Sequence, residues 1–242
     1  MIKKINAKMR IPAAHICIFF AAQDSRNKPY YKPNFDNHYD LQGFYVNLSQ
    51  SVLPSPWPDE VNCSLGNFYE HFIWISKRIC EGEDIHFAWV YSHELQHLKQ
   101  NLKNPFLLIV AQLLDCIEYK DRYTEIPTEF ECELEAKKTV IDIWDKDKCD
   151  SYLRKMMADG CDNKKRCRNL LKLNIMAKFD VEEEIKQFIC TDKDKFKQFQ
   201  KQMQDNGCTD YSIDIDKLCS CKDPHTAIIS AVKKIALNGV VY

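Results

Sequence analysis

The chain is 242 residues long and 45% hydrophobic, with 34 basic residues set against 35 acidic ones. A chain of this length can bury a substantial core, and its nearly cancelled charge leaves no overall field to recruit nucleic acid or acidic lipid. Its six glycines form neither a phosphate-cradling loop nor a nucleophile elbow, so nucleotide-dependent and serine-hydrolase chemistry lack support.

Met1-Ile2-Lys3-Lys4 precedes an apolar run from Ile11 to Ala22 that superficially resembles a secretory leader. Pro12 opens the run, His15 interrupts it and no small-residue cleavage site closes it, so a buried strand over 11–20 is expected instead. Residues 23–40 carry loop chemistry, and Gly43 to Ser49 reads as a second strand. Helices are expected at about 66–80, 84–103, 105–120 and 127–146. The apolar stretch from Phe106 to Leu114 is too short to span a membrane.

Beyond Trp144 the pattern changes to short, charged amphipathic helices. Asp180-Val181-Glu182-Glu183 and Asp223-Pro224 are helix-start signals, and the last periodic run, Ala227 to Leu237, ends near Gly239. The basic run Lys164-Lys165-Arg166-Cys167-Arg168 reads as a solvated helix face. The expectation is an α+β, predominantly helical protein, with a core over 1–146 that includes a small N-terminal sheet. A cysteine-rich, all-helical extension is expected over 147–242.

The twelve cysteines contain no CxxC pair, which argues against a zinc finger or a thioredoxin-like site. Those from Cys149 onward permit disulfides in an oxidising compartment, whereas Cys17, Cys80, Cys116 and Cys132 read as buried free thiols. The compartment stays open. A soluble protein is expected, with the cytoplasm favoured over secretion.

The most informative motif is His93-Glu94-Leu95-Gln96-His97. Histidines at i and i+4 stack on one helix face, so their rings can converge on one metal ion. Glu94 lies one residue round, where its carboxylate can reach a water on that metal. Apolar flanks (Phe87, Trp89, Val90, Tyr91, Leu95, Leu98) mark the helix as buried, and paired histidines in such a place need a partner. Downstream, Pro127 suits the first turn of a helix that carries Glu129, Glu131, Glu133 and Glu135. One of the four can be the principal metal ligand, and glutamates this near a helix N-terminus are also favourable there without a metal.

His93-Glu94-Leu95-Gln96-His97-Leu98-Lys99-Gln100, followed by Pro127-x-Glu129-x-Glu131-Cys132-x-x-x-Ala136, resembles the zincin metallopeptidases, and in particular their glutamate-ligand branch. The resemblance covers about residues 40 to 145. It implies a zincin-like core and one Zn²⁺ held by His93, His97 and Glu131, with Glu129 and then Glu135 as runners-up. Cys132 stands where the pattern usually has alanine. A strand beside the metal helix whose edge can pair with an extended substrate is a further implication. Position 103 is lysine rather than a third histidine, which disfavours the metzincin branch.

The function these features imply is peptide-bond hydrolysis by a metal-activated water, with Glu94 as general base and a protein or peptide as substrate. Tyr119, Tyr123 and His225 are possible donors to the developing oxyanion, and Gln100 can orient a ligand or cap a backbone group. His71 and His86 read as ordinary polar or packing residues, although His86 lies near the face of His93. The competing readings are a non-catalytic zincin-like scaffold and a helical interaction protein with a fortuitous motif.

Overall fold

The computed structural model describes residues 1–11, 16–20, 42–47, 70–117, 126–158, 164–173, 175, 178–205 and 211–234. The described chain is mostly helical, with two small sheets, and is thus α+β. It divides into two compact units, Met1–Lys99 with Cys132–Ile175, and Gln100–Glu131 with Met176–Tyr242. The division does not follow chain order. The expected boundary at 146/147 falls inside the first unit, and an internal segment belongs with the C-terminal part.

The first unit contains helix α1 (Ile2–Met9) and strands β1 (Ile16–Phe20), β2 (Gly43–Asn47) and β3 (His71–Ile75). The strand order is β1-β3-β2, with β1 parallel and β2 antiparallel to the central β3. All five residues of β3 are buried. This overturns the helix expected at 66–80 over its described part, where a single turn, α2 (Lys77–Cys80), follows the strand; residues 66–69 lie outside the described residues. A strand buried on both faces shows no alternation, so His-Phe-Ile-Trp-Ile reads from sequence as a plain apolar run. Tyr45 and His71 share a buried hydrogen bond of 2.9 Å. Burial pushes the tyrosine pKa up and the histidine pKa down, the latter opposed by Glu70, so the pair favours the uncharged forms.

The long helix α3 (Asp84–Lys103) follows, as expected for 84–103. Gly43 of β2 is its contact point with the sheet. A Cβ there would meet the side-chain atoms Val90 Cγ1 at 3.0 Å, Glu94 Cγ at 3.1 Å and Ile75 Cδ1 at 3.1 Å, so glycine permits a close approach that a larger residue would crowd. Tyr91 anchors α1 by donating to Asn6 Oδ1 at 3.0 Å. Helix α5 (Pro127–Ile143) enters this unit from Cys132 onward, and α6 (Lys146–Ala158) packs with α7 (Lys164–Lys172). Lys137 of α5 is buried, and its ammonium donates to the carbonyls of Leu170 and Leu173, capping the end of α7. Desolvation holds its pKa below the ordinary lysine value.

The second unit packs α4 (Phe106–Ile117), α8 (Val181–Thr191), α9 (Lys193–Asp205), α10 (Ile215–Ser220) and α11 (Pro224–Ala231) round one apolar cluster. Its centre holds Leu107, Ile185, Leu218 and Ile228, all fully buried. The helix starts form as their sequences direct: Asp180 accepts from the amides of Glu182 and Glu183, and Asp223 from that of Thr226. The expectation of an all-helical C-terminal part is corrected by strands β4 (Tyr211–Ile213) and β5 (Val232–Lys234), which pair antiparallel. The helix expected over 227–237 therefore stops at Ala231. A disulfide joins Cys190 of α8 to Cys219 of α10. Among the described residues, no helix is long and apolar enough to cross a membrane.

Candidate metal centre

The spacing of His93 and His97 on α3 puts their imidazoles side by side, with ring centroids 4.9 Å apart. Their Nε2 atoms face each other at 3.2 Å. Two nitrogens on a tetrahedral zinc at about 2.0–2.1 Å are about 3.3 Å apart, so the pair is spaced as two ligands of one such ion would be.

Helix α5 supplies the surroundings. Glu133 Oε1 lies 3.0 Å from His93 Nδ1, and its other oxygen accepts from Trp89 Nε1 at 2.9 Å. A carboxylate can only accept, so His93 carries its hydrogen on Nδ1 and keeps the Nε2 lone pair for an ion. Both carboxylate oxygens are thereby engaged, which suits a side chain only 4% exposed. The preceding residue, Cys132, is fully buried and places Sγ 3.4 Å from His97 Nδ1. Nearest ligand atoms of His93, His97 and Cys132 lie within 4.8 Å of one another, the one such group of metal-ligating side chains among the described residues.

The outcome for the expected glutamates is mixed. Glu131, the ligand the resemblance implies, is not in that group. Its carboxylate accepts from Gln100 Nε2 at 2.8 Å, and the same nitrogen reaches the Thr128 carbonyl at 2.9 Å. Gln100 thus caps a backbone carbonyl, one of the two roles expected for it, and also holds the Glu131 carboxylate. Glu129, the first runner-up, is buried at 6% exposure. Glu135, the second, forms an ion pair with Lys138 at 2.6 Å. Cys132 and Glu133 of α5 both contact the histidine pair, and Glu129, one turn earlier, shares their helix face.

Glu94 is buried at 6% exposure, its side-chain stem against Gly43 of β2, which lies at the edge of the sheet among the described residues. His86 bonds Gln42 at 3.2 Å and Tyr152 at 2.9 Å, and His71 bonds Tyr45, so both keep the ordinary polar roles expected of them. His225 is engaged by Glu182 at 2.7 Å in the second unit. Tyr119 and Tyr123 lie outside the described residues.

Reading the sequence missed the contacts of Cys132 and Trp89, and it named Glu133 only as one of the four glutamates of α5, those other than the principal ligand being expected to support the site or face solvent. A usable signal was present: Cys132, Glu133 and Ala136 share one face of α5, and small residues beside an acid mark where another helix can approach closely. Comparison with known proteins returns no matching family model, no matching curated protein and no matching solved structure.

Proposed function

We propose that this chain is a zinc-dependent metallopeptidase of zincin type. The observation that carries the reading is the convergence of His93 and His97 Nε2 atoms at 3.2 Å, beside the buried Glu94. His93 and His97 hold the ion in this reading. A glutamate of α5 completes the set, and Glu131 is the residue the resemblance assigns. Zn²⁺ bound there supplies Lewis acidity toward the scissile carbonyl and lowers the pKa of water toward neutrality.

The chain's own groups do the rest. Glu133 fixes the hydrogen of His93 on Nδ1, so the ring presents a lone pair and not an N–H. The carboxylate of Glu94 takes the proton of the attacking water and passes it to the leaving amine nitrogen. Gly43 lets β2 approach the stem of Glu94, and an extended peptide laid along that edge strand would bring its carbonyl near the same carboxylate.

The deciding experiment is Glu94→Gln, assayed on unfolded protein and on a peptide library. The variant keeps its zinc and loses turnover by roughly 10²-fold or more. Unchanged turnover removes Glu94 from the mechanism. A scaffold without activity predicts stoichiometric zinc in both proteins and no hydrolysis by either.

A further inference from the structure

We infer that Cys132 is a positioning residue for His97: its sulfur accepts the Nδ1–H of that ring and aims the opposite nitrogen at the ion, without itself ligating the metal. The inference rests on the metal reading above and assigns a part to a residue that the resembled pattern usually replaces with alanine.

The argument is geometric. Cys132 Sγ touches His97 at Nδ1, 3.4 Å away. The nitrogen of His97 that faces His93 is the other one, Nε2, at 3.2 Å. The two nitrogens of one imidazole point in widely diverging directions, so a single ion cannot use both. An ion shared by the two Nε2 atoms therefore sits on the side of the ring away from the sulfur. Proximity of the three side chains, within 4.8 Å, does not make the third a ligand.

Hydrogen bookkeeping agrees. For His97 Nε2 to offer a lone pair, the ring hydrogen must reside on Nδ1, where the nearby sulfur can accept it. Sulfur is a weak acceptor, but Cys132 is fully buried and water cannot take its place. Consecutive residues of α5 then serve the two histidines alike: Glu133 holds Nδ1 of His93, and Cys132 holds Nδ1 of His97. A carboxylate and a thiol thus set both tautomers from one helix.

The test uses the full chain loaded with cobalt(II), read by absorption and by competition with a chelator. The parent binds cobalt without a thiolate-to-metal charge-transfer band. Cys132→Ala, which removes the acceptor, weakens binding roughly tenfold to hundredfold. Cys132→Ser removes the sulfur but restores an acceptor, and its affinity returns to within about threefold of the parent. That rescue separates an acceptor from a mere loss of packing, since both variants lack the sulfur. A charge-transfer band in the parent that Cys132→Ser abolishes makes the thiol a ligand and overturns the inference. Equal affinity in all three proteins also overturns it. A parent that binds no cobalt sinks the metal reading together with this one.

Discussion

Glu133 reaches across from α5 to His93, Oε1 to Nδ1 at 3.0 Å, and this contact decides which nitrogen of His93 faces His97. Its second oxygen serves Trp89. Two donors converge on one carboxylate, so glutamine is a poor substitute: its amide offers one acceptor oxygen and turns an NH₂ group toward the other donor. Glu133→Gln is expected to weaken zinc binding by roughly 10- to 100-fold and to cost about 2 kcal/mol of folding stability. Chelator competition and urea unfolding measure the two effects. Parental values for both would mean that Glu133 orients nothing.

Gly43 predicts a coupling between the sheet and the Glu94 side chain. The added Cβ of Gly43→Ala would press on Val90 and Glu94 at 3.0 and 3.1 Å. Relief requires these side chains to give by a few tenths of an ångström, the Glu94 stem among them, at about 1 kcal/mol. Turnover should fall by more than this loss of stability explains, while zinc content holds. Stability and turnover both at parental level would show that the approach is not tight.

The same contacts show why part of the fold was legible and part was not. Helix α3 ran from Asp84 to Lys103, as its apolar spacing and the acidic residue at its start direct. Helix α5 began at Pro127, where its proline suits the first turn. Strand β3 was hidden because burial on both faces erases alternation. Strands β4 and β5 span three residues each, too few for any period to register. At the site, the histidine pair was legible from its spacing within one helix. Which residues of the expected glutamate helix face the rings was not, because no spacing rule links two helices separated in sequence, and a single cysteine looks like any small core residue.

In the second unit, Glu182 predicts an acid sensitivity. Burial pushes its pKa up, but hydrogen bonds from Lys103, Asn104 and His225 outweigh this and hold it below the usual 4.5. A carboxylate depressed in the folded state contributes stability that is full above its unfolded value. That contribution is lost as pH falls through the lower folded value. The parent should therefore exceed Glu182→Gln in urea midpoint at neutral pH, with the gap closing below about pH 4.5. A gap that stays constant to low pH would exclude Glu182 from the acid response.

The Cys190–Cys219 disulfide closes a loop of 29 residues in sequence separation. Constraining the unfolded chain to that extent is worth about 3.6 kcal/mol. Replacing both cysteines by alanine should lower the unfolding free energy by that order, and reductant should reproduce the loss in the parent. A parent indifferent to reductant, with free-thiol labelling at both positions, would show that the bond is not formed.

The central claim is that one ion is shared by two rings on a single helix. Elemental analysis of the purified chain beside His97→Ala addresses it directly. The account predicts about one zinc per parent chain and a large loss in the variant. A parent without metal, or a variant that keeps its full complement, would contradict it.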